Sequence, residues 1–172
     1  AYRKLGGDDE TDREFLEGVM RASDTGQIPS ATPVIAGRLG VPEEMWRDTS
    51  KGVSGLDHDL LAYILELRKE YKVGLLTNIG RGDLARWFDT SVLDTYFDAA
   101  VASGDIGFAK PEPESYQIAA DRLGVRTDEC IMIDDREICC DGARATGMRA
   151  ILYTAFPQLQ RELPALANYH NN

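Results

Sequence analysis

An α/β fold built on a parallel sheet is predicted for this chain of 172 residues by three observations. First, short apolar runs recur at Val73–Thr77, Phe97–Ala102, Cys130–Asp134 and Ala150–Tyr153. A continuous run, as opposed to an alternating one, reads as a strand buried on both faces. Second, stretches with apolar residues at helical spacing separate these runs, and strands alternating with helices imply right-handed crossovers. Third, polar groups follow the runs: Thr77-Asn78, then Lys110, then Asp134-Asp135. They fall at the carboxyl edge, where open α/β sheets bind their ligands.

Taken in order, the chain opens helical, and nothing up to about Ser54 reads as a strand. Thr11 and Glu14 form a capping-box pair, and Phe15, Leu16, Val19 and Met20 follow at helical spacing. Gly26 ends that pattern. Ser30 caps a second helix carrying Val34, Ile35 and Leu39, with Gly40 as its stop. Pro42 suits the first turn of a third helix with Met45 and Trp46. From Asp57 the alternation begins. Leu60, Leu61, Ile64, Leu65 and Leu67 mark a helix to about Tyr71, followed by the first strand. Leu84, Trp87 and Phe88 mark a helix before the second strand. Pro111 and Pro113 precede a helix with Tyr116, Ala119, Ala120 and Leu123, which leads to the strand ending at Asp134. A helix across Ile138–Ala145 stops at Gly147, the last strand follows, and a final helix runs from Pro157 to about Leu163. The polar tail, Tyr169–Asn172, is expected to fray, with His170 solvated and no ligand.

Composition narrows the function. The apolar fraction is 43% and the net charge −10, with a sequence pI of about 4.7. Such a balance argues against nucleic acid or an anionic membrane as partner, because phosphate backbones are bound with Lys and Arg. A small phosphorylated metabolite needs only a few local cations and stays compatible. No run is long enough to span a bilayer, and no secretory leader is visible. Cys130, Cys139 and Cys140 offer neither a disulfide framework nor zinc spacing, so a reducing cytoplasm fits, with buried, inert thiols.

The strand-end residues carry the chemistry. Two adjacent carboxylates repel each other in a dry site, and a divalent cation between them and an anionic substrate relieves that repulsion. Mg²⁺ is usually held by one or two carboxylates plus phosphate oxygens and water. Each residue also has a plain reading: Thr77-Asn78 as turn chemistry, Lys110 as a surface lysine, Asp134 and Asp135 as a helix cap. Ordered along one βα chain, they converge on a Mg²⁺-phosphate site. Thr77 donates to a phosphoryl oxygen, Lys110 neutralises charge, and Asp134 and Asp135 hold the metal.

With these residues in place, the sequence resembles the haloacid-dehalogenase-like (HAD) hydrolases. Val73-Gly74-Leu75-Leu76-Thr77-Asn78 looks like their motif II, and Ala109–Tyr116 resembles the motif III region. Ile131–Asp135 with Gly142–Met148 looks like motif IV. The resemblance implies a three-layer Rossmann-like core over 55–172 and, over 1–54, the helical cap of subfamily I. The double Asp resembles the Mg²⁺-dependent phosphatases of the family more than its dehalogenases. It implies hydrolysis of a small phosphomonoester through an aspartyl-phosphate. Thr77 and Lys110 are then the catalytic pair, with Asn78 beside them at the phosphoryl group.

One departure has a structural consequence. The family's motif I is an apolar strand ending in Asp-x-Asp, whose first Asp is the nucleophile. The nearest candidate by composition, Asp8-Asp9-Glu10-Thr11-Asp12, follows no apolar strand. The missing strand is central in the family's sheet, between those ending at Thr77 and Asp134. It would make on the order of ten ladder hydrogen bonds at roughly 1 kcal/mol each. It would also bury several large side chains at about 1.5–3 kcal/mol each. Together these rival the roughly 5–15 kcal/mol that keeps a domain folded. Three outcomes are expected: a segment preceding Ala1 supplies the strand, the inner strands close up, or another chain fills the gap. The expected activity is therefore an impaired phosphatase. The alternative is a non-catalytic module that binds a phosphorylated ligand or assembles as a strand-exchanged homodimer.

Overall fold

Over residues 1–50 and 57–167, which the computed structural model describes, helices and strands alternate as the apolar pattern predicts. The boundary expected at 54/55 and the tail with His170 lie outside the described residues. The helical lead-in holds α1 (Arg13–Asp24), α2 (Thr32–Leu39) and α3 (Glu43–Ser50). Then come α4 (His58–Leu67), β1 (Gly74–Thr77), α5 (Asp83–Trp87), α6 (Thr90–Tyr96), β2 (Ala99–Ala102) and α7 (Ser103–Ile106). The chain continues through α8 (Pro113–Leu123), β3 (Ile131–Asp134), α9 (Glu137–Ala145), β4 (Arg149–Leu152) and α10 (Phe156–Ala167).

Four local expectations need correction. Thr11 and Glu14 do not form a capping box. Helix α1 starts at Arg13, and its N-cap residue, Asp12, makes no side-chain cap bond. That carboxylate is drawn instead to the Tyr2 hydroxyl and the Arg38 guanidinium. The short helices α6 and α7 are additions, both too brief to show an apolar period. Asp89 caps α6, accepting from the Ser91 N–H at 3.0 Å. Helix α10 runs past Leu163 and through Pro164. The proline removes one helical hydrogen bond, while Leu159 and Leu163 stay buried on the same face and hold the helix down.

The chain divides into two compact units. The first comprises Ala1–Leu56, Asn78–Phe88 and Ala102–Ala109. Within it the Tyr2 hydroxyl donates to Asp12 at 2.7 Å, Arg38 donates to the same carboxylate at 2.6 Å, and the Arg38 guanidinium lies 5.4 Å over the Phe15 ring. This cluster ties the amino terminus, α1 and α2 together. Gly26 adopts φ +69°, and a Cβ there would sit 2.5 Å from the Gly104 carbonyl, so only glycine fits. The buried Ser103 hydroxyl accepts from the Ile79 N–H at 3.0 Å.

The second unit comprises Asp57–Thr77, Asp89–Val101 and Lys110–Asn172. Strands β3 and β4 pair in parallel, from Ile131 opposite Arg149 to Asp134 opposite Leu152. Strand β1 pairs with β2. The Asp98 N–H donates to the Val73 carbonyl before the pair and the Gly104 N–H to the Ile79 carbonyl after it, so these strands also run in one direction. Alternation along β3 builds the layers. Met132 and Leu76 each pack against the buried cluster of Tyr116, Ala120, Ala143 and Met148, on the side of α8 and α9. Ile131 and Ile133 pack against the buried cluster of Ile151, Leu159 and Leu163, as do Leu60, Tyr63 and Leu67 of α4.

The sheet is split. Among the described residues the strands form two two-stranded sheets, β1–β2 and β3–β4, with no ladder joining β1 to β3. A cavity of about 870 Å³ lies between them, lined by Gly74–Leu76 on one side and Cys130–Ile133 on the other. This is where the resemblance to the HAD-like hydrolases implies a central strand.

Candidate functional site

The site begins with the two ends of the split sheet. Strand β3 delivers Asp134 at its last position, buried, and its carboxylate is held from two directions. Oδ1 accepts the Arg136 N–H at 2.9 Å, a local turn of the kind Asp favours. Oδ2 accepts Lys110 Nζ at 2.6 Å. The same ammonium donates to the Leu76 carbonyl at 2.9 Å, one residue before Thr77. Lys110 thus spans the gap at the carboxyl ends of β1 and β3. Its side chain is 11% exposed and that of Asp134 5%, so water screens the pair little.

Lys110 owes its position to the helix layer behind it. Pro111 and Pro113 start α8, and Tyr116 in its first turns is fully buried. The Tyr116 hydroxyl donates to the Cys139 carbonyl at 2.7 Å, linking α8 to α9. Burial pushes the Tyr116 phenol well above its ordinary value, so it stays a donor. Gly142 of α9 closes the contact: a Cβ there would meet Pro111 Cβ at 2.7 Å, the Pro111 carbonyl at 2.8 Å and the Tyr116 hydroxyl at 2.8 Å.

The other predicted residues take these places. Thr77 ends β1, half-buried. Asn78, next in the chain, is half-buried and opens the 78–88 segment of the first unit. Asp135 is exposed just beyond β3 and, among the described residues, carries no ion pair. The structure therefore brings Lys110, Asp134 and the end of β1 together, with Asp135 next in chain on the exposed side. Sequence reasoning missed the Arg136 N–H and the packing role of Gly142. The first was visible as an Asp three residues ahead of a helix start. The second lay in a stretch read as a helix and as a motif, neither of which shows what packs against its glycine.

The donor set suits Mg²⁺. Two hard carboxylates stand at adjacent positions, one exposed, and no group of three or more His, Cys, Asp or Glu converges among the described residues. The remaining coordination positions of such an ion would fall to phosphate and water, its usual habit. All three thiols are free and are pushed up by burial, Cys130 further by Glu129 and Cys139 further by Asp134. They are poor nucleophiles at neutral pH. No described helix is long and apolar enough to cross a membrane.

The residues nearest in composition to an Asp-x-Asp motif are engaged locally. Asp8 accepts the Glu10 N–H at 3.0 Å and the Thr11 hydroxyl at 2.7 Å. Asp9 pairs with Arg3, and Asp12 with Tyr2 and Arg38. Hydrogen bonding from Thr11, then from the turn amides, holds the Asp8 carboxyl below its ordinary value.

Fold and site together define an α/β protein whose charged cluster sits at the carboxyl edge of parallel strands, where such folds bind ligands. The chain belongs to the haloacid dehalogenase-like hydrolase family, which its sequence matches over residues 13–147. It is 32% identical over 110 residues to the N-acylneuraminate-9-phosphatase of Rattus norvegicus, 63% of this chain and 44% of that protein. It is 42% identical over 86 residues to a phosphatase of Mycobacterium tuberculosis, 49% of this chain and 40% of that protein. The chain thus spans less than half the length of these curated relatives. An enzyme of the HAD family from Bacteroides thetaiotaomicron superposes with a TM-score of 0.75 at 22% identity, over 90% of this chain and 82% of that one. The same enzyme in complex with magnesium and inorganic phosphate gives 0.71 at 24% identity, over 90% and 84%. At these identities the likeness is one of fold.

Proposed function

We propose that the second unit carries the phosphoryl- and magnesium-binding part of a phosphomonoester hydrolase site, and that this chain alone hydrolyses such esters poorly. The observation that carries the reading is the Lys110 ammonium fixed between the Leu76 carbonyl and Asp134. A cation held there, out of water, is preorganised for the charge of a phosphoryl group. Thr77 would donate its hydroxyl to one phosphoryl oxygen, and the backbone amides after β1 lie next to it in the chain. Asp134 and Asp135 would hold Mg²⁺, which when bound neutralises phosphate charge and orients the group for in-line attack. Covalent hydrolysis of this kind needs a carboxylate nucleophile. The named relatives that are phosphatases support the reaction class, and the local engagement of Asp8, Asp9 and Asp12 supports the weakness of turnover. A second reading, a non-catalytic module that binds a phosphorylated ligand or pairs with another copy, is favoured by the open inner edges of β1 and β3.

Calorimetric titration of inorganic phosphate with Mg²⁺ tests the first reading. We expect saturable binding, weakened at least tenfold by Thr77→Val and by Lys110→Met. Thr77→Val keeps the shape of the side chain, so its loss of binding is not a folding artefact. Binding unchanged in both variants would sink the phosphoryl site. Turnover of p-nitrophenyl phosphate should be slight. Robust, EDTA-sensitive turnover abolished by Asp8→Ala would show instead that this chain holds its own nucleophile.

A further inference from the structure

We propose, on the phosphoryl- and magnesium-binding reading given above, that the Arg136 side chain is a second anion-binding point beside that site, and that the ligand it selects is a phosphomonoester carrying a carboxylate a few bonds from its phosphate. Everything involved lies within the second unit. Arg136 and Lys110 are held on the two oxygens of one carboxylate. The Arg136 N–H donates to Asp134 Oδ1 at 2.9 Å, and Lys110 Nζ donates to Oδ2 at 2.6 Å. The Arg136 carbonyl in turn accepts the Cys139 N–H at 2.9 Å and the Cys140 N–H at 3.1 Å, so the start of α9 fixes its backbone. From that anchored backbone the side chain emerges exposed.

What sets Arg136 apart is an uncommitted guanidinium. The second unit holds six other arginines, Arg68, Arg122, Arg126, Arg144, Arg149 and Arg161, and each donates to a carboxylate or a backbone carbonyl. Among the described residues the Arg136 side chain makes no ion pair and no hydrogen bond. Its acidic neighbour on α9 is taken, because Arg144 holds both Glu137 and Asp141 at 2.7 Å. Acids outnumber bases 29 to 19 in this chain, so an arginine left without one is unusual here. The side chain also turns toward the site. Burial raises the Tyr116 hydroxyl and the Cys139 thiol, and the Arg136 charge opposes that rise at both. The Cys139 thiol feels Asp134 and Lys110 as well, so guanidinium and ammonium both stand near one buried group. Chemistry then selects the partner. A guanidinium presents a planar fork that matches a carboxylate with two parallel hydrogen bonds. A carboxylate sets one negative charge against the one positive charge of Arg136. A second phosphoryl group would bring nearly two, beside the exposed Asp135. With Lys110 and the metal on the phosphoryl group, Arg136 remains for the carboxylate.

The test titrates the full chain with Mg²⁺ by calorimetry, using inorganic phosphate, glycerol 3-phosphate and 3-phosphoglycerate. The last two differ only in a carboxylate that replaces a hydroxymethyl group. We expect 3-phosphoglycerate to bind at least tenfold tighter than glycerol 3-phosphate. Arg136→Gln, at an exposed side chain with no partner to lose, should reduce that preference below threefold. Arg122→Gln, which removes an equal charge from α8, should leave it intact. A preference lost equally in both variants would overturn the proposal, since net charge and not a contact would then be at work. So would a preference that survives Arg136→Gln, which would put the carboxylate on the metal. Inorganic phosphate that binds the parent chain while the two esters bind alike overturns the Arg136 point alone. Failure of inorganic phosphate to bind would sink the phosphoryl site itself, and this point with it.

Discussion

Asp98 shows how single side chains stand in for missing sheet. Its Oδ2 accepts the Val73 N–H at 2.7 Å, and its Oδ1 takes Arg68 at 2.7 Å. Arg68 in turn donates to the carbonyls of Asp94 and Thr95 at the end of α6. One carboxylate therefore fixes the entrance of β1, the end of α4 and the entrance of β2. Hydrogen bonding from Arg68, then from the Val73 amide, holds the Asp98 carboxyl below its ordinary value. A carboxyl lowered on folding contributes stability that is full above its unfolded value, about 3.9, and is lost as pH falls through the lower folded value. Asp98→Asn should therefore lower the thermal midpoint at pH 7. The gap from the parent should close as the pH is taken from about 4 toward 2. The pair is about one-third exposed, so we expect roughly 1 kcal/mol at neutral pH, the low end for charge-assisted bonds. A gap that stays constant across that pH range would show that Asp98 acts through shape and not through charge.

At the scale of elements, the strands of the core were legible because each is a short apolar run bounded by polar residues, and the candidate site residues follow their ends. Lys110 and Asp134 could be paired from sequence only through the ordering of βα units, since 24 residues separate them. What was not legible depends on partners distant in sequence. Helices α6 and α7 have too few turns for a period to emerge. Thr11 lost its capping role because its hydroxyl donates to Asp8 and Asp12 takes the N-cap position, where Tyr2 and Arg38, ten residues before and 26 after, claim its carboxylate. Gly142 belongs to the same class. Within α9 it looks like a mild helix breaker, yet its bare Cα lets the helix seat against Pro111 and Tyr116. Gly142→Ala illustrates two competing terms. Helix propensity favours alanine by about 1 kcal/mol, while contacts below 3 Å with the Pro111 backbone force a shift that overpacking data put at about 1–3 kcal/mol. Because one contact is a carbonyl that has no rotamer to change, we expect the steric term to win. The variant should unfold at lower urea concentration and bind phosphate with Mg²⁺ more weakly, since Pro111 follows Lys110 directly. A midpoint equal to or above that of the parent would mean that α9 does not set the position of this loop.

At the scale of the whole molecule, the split sheet sets the energetics. A dry void is penalised at about 24 cal/mol per Å³ in core-truncation series. On that scale a dry cavity of 870 Å³ would cost roughly 20 kcal/mol, more than the roughly 5–15 kcal/mol by which domains are stable. A stable fold with this cavity unfilled therefore requires that water enter it. Side chains that reach into it are under less packing pressure than those of the sealed core. This reverses the usual sign of a small-to-large substitution. Ala143, fully buried between α9 and its neighbours and not on the cavity wall, should behave as ordinary core, so Ala143→Val should cost about 1–3 kcal/mol by overpacking. Leu75 lies on the cavity wall and is only half-buried. Leu75→Phe there removes additional apolar surface from water with no tight neighbour to displace. At about 25 cal/mol per Å² of newly buried surface, we expect a gain of up to roughly 1 kcal/mol. Urea midpoints measured on both variants decide the matter. If Leu75→Phe destabilises as much as Ala143→Val, the two inner edges pack tightly on each other in solution, and the cavity is closed in the free protein.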